Sequence, residues 1–291
     1  MRVSREVRRF KAAVWRHYRA RGRHGLVWRH TRDPYRILVS EVMLQQTQVA
    51  RVERFYPRFL RRFPDFRSLA RARTAPLLHA WQGMGYNRRA LALRRSAGVV
   101  IAEHRGRLPC ERAALESLPG IGAATAGAIR AFAHNEPEVF IETNIRRAFI
   151  HFFFGKRPRR RKVTDEELAR YIQWTLGKGS REKRHPREWY WALMDYGAWL
   201  GVRGAAQASE NGVAENPNRK SAAHRPQPRF AGSDRELRGK LIRALLASKQ
   251  VPLGTFAKTE EQPYRRVTRV AAALVKEGFA QKKGDAIVVS R

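Results

Sequence analysis

Cysteine is almost missing: Cys110 is the one thiol in 291 residues. That excludes an intrachain disulfide and any all-cysteine metal or iron–sulfur site. No stretch approaches the roughly 20 apolar residues of a membrane span. The basic start, Met1 to Glu6, is followed by no apolar signal core. The chain is therefore expected to be soluble and cytoplasmic, without a membrane partner. Acidic residues are few, 25 Asp and Glu against 60 Lys and Arg, which leaves a formal charge of +35. Such a charge opposes compaction but attracts polyanions, nucleic acid first among them. What is present is a core-forming complement: 43% of residues are apolar and 10% aromatic, so the chain is no disordered basic tail. Its length suits two domains.

β-hairpin signals are absent from the first 200 residues, and this part reads as all-α. Asp33-Pro34 starts a helix, Asp as cap and Pro in the first turn. Leu38, Val42 and Val49 follow as an apolar stripe. Further helices are expected near 52–63, 67–80, 87–104, 111–117 and 123–134. Two strongly apolar and aromatic ones are expected near 139–154 and 188–200. Residues 201–230 carry Gly, Ala, Ser, Asn and Pro without apolar period and read as a basic linker. The last segment, 231–291, differs again. Ser233-Asp234-Arg235-Glu236 is a capping box ahead of Leu237, Leu241 and Leu245. A short helix near Phe256, a basic helix from Tyr264 to Gly278, and a strand–turn–strand around Lys282-Lys283-Gly284-Asp285 complete it. That order is one of a winged helix-turn-helix, an α+β module whose last helix usually contacts DNA. Such modules also serve protein docking or dimerisation.

Three motifs carry chemistry. Leu118-Pro119-Gly120-Ile121-Gly122 leads into the small-residue run Ala123 to Gly127, with Thr125 inside it. Two glycines permit a tight turn and close approach to a partner. The N–H groups opening the next helix can hold a phosphate. In Ser40 to Val49, Glu41 sits in an apolar stretch ahead of Gln45, Gln46 and Gln48. The glutamines need polar partners, which base edges supply. A carboxyl in a partly apolar pocket has a raised pKa and suits a general acid. In Val139 to Arg147, Glu142 follows three apolar residues and opens a helix. By itself it reads as an N-terminal cap.

Together with Trp28 to Tyr35, Trp81-Gln82-Gly83-Met84-Gly85-Tyr86 and Ala192 to Gly197, these motifs resemble the helix-hairpin-helix DNA glycosylases, the endonuclease III superfamily. Within it the chain looks most similar to MutY-type adenine glycosylases and their thymine-mismatch relatives. The resemblance covers about Trp28 to Leu200. It implies a two-lobed all-α domain over 1–200 that binds double-stranded DNA, flips a mispaired or damaged nucleotide out and hydrolyses its N-glycosidic bond. It implies Glu41 as the acid that protonates the leaving base, and Glu142 at the position of the general catalytic carboxylate, normally Asp. Gln46 and Tyr86 match positions that wedge into the duplex. Trp28, Arg29, Asn144 and Asp195 match the base pocket. Gln45, Gln48, Gly120, Gly122, Thr125 and Arg146 match the DNA-contacting set. A nucleoid-associated monomer is expected.

Four departures bear on activity. Ala124 stands where bifunctional relatives have a Schiff-base lysine, so no imine route to strand cleavage is available. Glu142 extends the usual Asp by one methylene. The four cysteines of a [4Fe–4S] loop are missing, so no cofactor is expected. Packing on the Trp189–Trp199 helix is expected to replace the cluster, with Arg203, Arg219, Lys220, Arg225 and Arg229 keeping phosphate contact. The 8-oxoguanine-reading domain is also missing, and the winged-helix-like module takes its place. Adenine opposite guanine or 8-oxoguanine is the expected target. Thymine or uracil excision and a non-catalytic damage sensor remain open.

Overall fold

The computed structural model describes residues 2–158, 160–211, 216–248 and 250–290. For 2–4 and 203–211 the backbone alone is described, so the side chain of Arg203 lies outside the described residues. In chain order the helices are α1 (Arg2–Arg21), α2 (Pro34–Leu44), α3 (Val49–Arg62), α4 (Phe66–Ala70), α5 (Thr74–Trp81) and α6 (Arg88–Glu103). After them come α7 (Arg112–Ser117), α8 (Ala123–Ile129), α9 (Thr143–Phe154), α10 (Asp165–Thr175), α11 (Arg181–Arg184) and α12 (Pro186–Asn211). The chain closes with α13 (Asp234–Ser248), β1 (Gln250–Pro252), α14 (Leu253–Thr259), α15 (Tyr264–Lys276), β2 (Ala280–Lys283) and β3 (Ala286–Val289). The architecture is all-α with a small α+β module at its end. Among the described residues no helix is long and apolar enough to cross a membrane.

Two compact units interleave along the chain rather than follow one another. Unit 1 holds 1–41, 110–116 and 121–226; unit 2 holds 42–109, 117–120 and 227–291. The expected boundary at residue 200 is not where the backbone changes, because α12 continues to Asn211.

Unit 1 is built on aromatic packing. Phe10, Trp15, Phe149 and Trp189 form its centre, with Phe10 4.7 Å from Phe149 and Trp15 5.6 Å from Trp189, ring to ring. The helix starts follow local capping. Asp33 accepts from the Tyr35 N–H at 2.9 Å ahead of Pro34. Thr164 and Glu167 make a reciprocal capping box for α10. The sequence reading overlooked α10, although Thr-x-x-Glu is a helix-start signature. The helix expected over 139–154 begins only at Thr143, because Glu142 is its extended N-cap. Phe140 instead packs on Tyr190 at 4.2 Å.

One close approach decides the geometry of this unit. Helix α12 crosses the start of α9 at Gly197, where an added Cβ would lie 2.0 Å from the Asn144 carbonyl oxygen. Only glycine permits that crossing.

The segment 216–222 folds back onto unit 1 as a strap. Asn218 donates to the Thr143 carbonyl at 3.0 Å. Val163 N–H bonds the Lys220 carbonyl and Ala222 N–H bonds the Val163 carbonyl, both at 2.8 Å. Arg146 pairs with Asp165 and reaches Ser221 at 3.2 Å. This revises the expected phosphate role of Arg146: its guanidinium is turned inward to hold the strap. Lys220 likewise donates to the Gly155 carbonyl.

In unit 2, the expected 67–80 helix is broken into α4 and α5, with α5 packed on α6. The terminal module adds a strand that was not anticipated: β1 pairs β3 through Val251 and Ile287, giving an antiparallel sheet of order β1-β3-β2. Three residues with one buried side chain leave too short a period to be read.

Candidate active site

The two carboxylates singled out from the sequence, Glu41 and Glu142, both belong to unit 1. Glu41 lies on α2, whose neighbours Leu38, Val39 and Val42 are buried. Burial disfavours its charge, and the carboxylate of Glu142 adds repulsion. The guanidinium of Arg29 only partly offsets both, so the Glu41 pKa is pushed up to about 8. Its surroundings therefore favour the protonated form.

Glu142 is held by the end of α9. One oxygen, Oε1, accepts from the N–H groups of Asn144 and Ile145, each at 2.7 Å. The other, Oε2, has only the Asn144 amide at 3.4 Å. Burial raises its pKa; the two backbone donors, then Arg147 and Arg23, act in the opposite sense. The cap reading and the reacting-carboxylate reading are thus compatible: one oxygen caps and the other is left to act.

Asn144 is oriented in turn. Its Oδ1 accepts from Arg147 at 2.9 Å, and Arg147 also donates to the Gly197 carbonyl at 2.8 Å. The expected pocket residues Arg29 and Asp195 form a buried fork. Arg29 meets both Asp195 oxygens at 2.8 Å, and Arg23 adds contacts at 2.6 and 2.8 Å. Burial works against the Asp195 charge, but the Arg29 and Arg23 contacts outweigh it and hold the carboxyl below its ordinary range. Both Asp195 oxygens are thereby engaged by Arg29 and Arg23. Losing one partner of such a buried pair costs on the order of 3–5 kcal/mol. Trp28, also buried, sits one residue before Arg29 in a short 3₁₀ turn. A cavity of about 580 Å³ is lined by Arg29, Arg32, His185, Arg187 and Trp191, among others; neither catalytic candidate lines it.

The DNA-contact candidates are distributed. Gln45, Gln46, Gln48, Tyr86 and Gly120 lie in unit 2. Gln46 (φ 53°) and Tyr86 (φ 46°) both take the left-handed conformation. That is uncommon for residues with side chains and marks a tip held by its surroundings. Both are exposed. What holds them was missed from the sequence. Arg89, a buried cation on α6, donates to the carbonyls of Val42, Met43 and Gln45 at 2.8, 2.9 and 2.5 Å. It also donates to Thr47 Oγ1 at 2.9 Å and to the Gly85 carbonyl at 3.1 Å. One guanidinium thus ties both tips together and stacks 5.4 Å from Trp81. A lone Arg in an Arg-rich helix offers no signal of this. Gly120 (φ 81°) closes the turn before α8; a Cβ there would lie 2.8 Å from Ala92. Gly122 is the extended N-cap of α8, and Thr125 lies in that helix, partly exposed.

Residues 39–173 match the family described as HhH-GPD superfamily base excision DNA repair protein. The chain is 35% identical over 194 residues to the adenine DNA glycosylase of Buchnera aphidicola subsp. Baizongia pistaciae, covering 67% of this chain and about half, 53%, of that protein. It is 32% identical over 245 residues to the adenine DNA glycosylase of Mycobacterium tuberculosis, covering 78% and 76%. It is 31% identical over 189 residues to the thymine/uracil-DNA glycosylase of Pyrobaculum aerophilum, covering 65% and 81%. The fold is similar to the structure of a thermostable thymine-DNA glycosylase, with a TM-score of 0.57 at 24% identity over 67% of this chain and 87% of that one.

Two outcomes are expected. Glu142→Gln keeps a cap oxygen and melts as the parent does, but loses base excision. Glu142→Ala also loses the cap, worth about 1 kcal/mol, and its Tm falls by about 2–4 °C. Equal melting of the two variants contradicts the cap. Arg89→Lys cannot span the six acceptors, the Met84 carbonyl included. Its single-turnover rate is expected to fall by about 100-fold, with loss of the 2-aminopurine fluorescence rise that reports an unstacked base. An unchanged fluorescence rise refutes the positioning role.

Proposed function

Because this chain belongs to the HhH-GPD superfamily of base excision DNA repair proteins, we propose that it is a monofunctional DNA glycosylase. Its proposed substrate is an adenine mispaired with guanine or 8-oxoguanine in duplex DNA. The observation that carries this reading is the unequal surroundings of the two carboxylates: burial and the charge of Glu142 push Glu41 towards its protonated form, while Glu142 has one oxygen engaged by two N–H groups.

In this mechanism Glu41 gives its proton to a ring nitrogen of the flipped purine as the C1′–N bond breaks. The electron pair leaves with the base. Glu142, ionised, stabilises the positive sugar and takes a proton from the water that attacks C1′. An abasic site and free base are the products. Ala124 offers no amine, so the sugar is not captured as an imine. The 8-oxoguanine-reading domain of MutY-type relatives has no counterpart in the last 60 residues, so guanine as the opposing base is given equal weight.

An iron–sulfur cluster, which many relatives carry, does not fit these residues. Four thiolates are needed and Cys110 is the only cysteine. The strap at 216–222, hydrogen-bonded to Val163 and Thr143, is proposed to supply the stabilisation that a cluster loop gives elsewhere. No reaction step passes through a cofactor.

A second reading is thymine or uracil excision opposite guanine. It is favoured by the similarity to the thymine/uracil-DNA glycosylase of Pyrobaculum aerophilum. A panel of duplexes carrying A:G, A:8-oxoguanine, T:G and U:G pairs, scored for alkali-labile sites, separates the two. Cleavage of the A strand, with no adduct trapped by borohydride, is the expected result. Cleavage of the T or U strand alone establishes the second reading, and an intact panel supports a non-catalytic damage sensor.

The pH dependence follows from the two carboxylates. Glu41 must be protonated, so the rate falls as pH rises through about 8. Glu142 must be ionised and its pKa is raised, so the rate also falls on the acid side. A bell-shaped single-turnover profile is expected, and Glu41→Gln should abolish its alkaline limb together with most of the rate. A flat profile from pH 6 to 9 excludes Glu41 as the acid.

A further inference from the structure

Helix α15 and the β2–β3 turn are not used by the mechanism above. Their chemistry is nevertheless strongly patterned. At about 100° per residue, Arg265, Thr268, Arg269, Ala272 and Lys276 fall within one arc of roughly 100° on α15. Arg265, Arg269, Ala272 and Lys276 are exposed and Thr268 is half-buried. Val267, Val270, Ala271 and Leu274 occupy the opposite side and are buried. The exposed stripe is about 16 Å long at 1.5 Å per residue, with cations at both ends and Thr268, Ala272 and the Asp234-paired Arg269 between them. Lys282 and Lys283, both exposed, stand on the neighbouring turn.

The segment 231–291 has 13 Lys and Arg against 6 Asp and Glu. Its acids are mostly engaged away from that stripe's centre: Glu260 with Lys240, Glu277 with Arg238 and Arg88, Asp285 with Tyr264. Asp234 pairs with Arg266 and Arg269. Among the described residues, Arg265, Lys276, Lys282 and Lys283 make no ion pair. An apolar patch, which a protein-docking face needs at its centre, is lacking. Tyr264 is the one large exposed apolar side chain among the described residues of the segment.

The module is also fastened to the wedge within unit 2. Arg88, two residues after Tyr86, bonds Glu277 at 2.8 Å just beyond the end of α15. Gln227 and Arg235 both donate to the Tyr86 hydroxyl, Arg235 at 3.2 Å. A basic helix of this length, with Thr268 and Ala272 between its end cations, fits the major groove. Arginine and lysine at its ends suit phosphates, and Thr and Ala can lie against base edges.

We propose that α15 and the β2–β3 turn are a second duplex-DNA contact, gripping the flank of the same duplex whose lesion meets Tyr86. This rests on the reading of the chain as a DNA-acting protein, and it extends that reading to a part of the chain outside the glycosylase-like segment. The contact is backbone-dominated and sequence-tolerant, so it lengthens the footprint and strengthens searching without choosing the base.

The test uses the full chain and undamaged duplexes of 12 and 30 base pairs. In the variant, Arg265, Lys276, Lys282 and Lys283 are all changed to Gln; every one is exposed, so the melting temperature should not move. On the 30-base-pair duplex, Kd near 0.15 M salt is expected to rise by about 100-fold, and the slope of log K against log salt to fall by about 3. On the 12-base-pair duplex, and in single-turnover excision at saturating enzyme, no change is expected. Unchanged affinity and slope on the long duplex overturn the proposal, as does an equal loss on both lengths. Loss of self-association with unaltered DNA affinity overturns it in favour of a dimerisation face. If the unaltered chain binds neither duplex, the DNA reading itself fails, which separates the two conclusions.

Discussion

The crossing of α12 over the start of α9 is the constraint on which unit 1 depends. Gly197 lets the α12 backbone come within contact of the Asn144 carbonyl. That proximity lets Arg147 bridge Gly197 and Asn144, and Asn144 in turn bonds the free oxygen of Glu142. Two residues earlier on the same helix, Asp195 captures Arg29 and Arg23. Arg29 precedes α2, and α2 carries Glu41. Both carboxylates are therefore linked to one helix, through Arg29 and Arg147.

The electrostatics follow from that placement. Two carboxylates close enough to repel cannot both be ionised cheaply where water is scarce. At Glu142 burial again raises the pKa, and the backbone donors at the α9 N-terminus offset part of that rise. The pKa of Glu41 has no comparable backbone-donor contribution; the charge of Arg29, whose two terminal nitrogens bond Asp195, offsets the rise only in part. Burial and mutual repulsion consequently push Glu41 well above the usual carboxylate range. The extra methylene of Glu142, relative to the family's usual Asp, is accommodated by the cap: Oε1 reaches the N–H groups of the second and third residues ahead, as a shorter side chain normally does.

Helix starts were legible wherever a local hydrogen bond makes them: Asp33, Glu142 as a cap, and the Ser233 to Glu236 box. α10 was equally legible through Thr164 and Glu167 and was passed over. β1 was not legible, because a three-residue strand exists only through its pairing with β3. The motif residues Glu41, Gln46, Tyr86, Gly120 and Glu142 were found from residue type and spacing. Arg146, placed in the DNA-contacting set by resemblance, has its guanidinium on Asp165 and Ser221, and nothing nearby in sequence announces those partners. Arg89 was overlooked for the same reason: its acceptors lie some 45 residues before it and in the loop just ahead of it.

Residue order alone determined the all-α class, the single cysteine, the alanine at position 124 and the two acidic candidates. Those depend on composition, periodicity and local capping, which act over a few residues. Tertiary structure decided which arginines are spent inside the protein and which remain for a partner, and how burial and neighbouring charges shift two similar glutamates. Charge interactions and burial are properties of distance in space, and residues such as Arg29 and Asp195, 166 positions apart, meet only once the chain has folded.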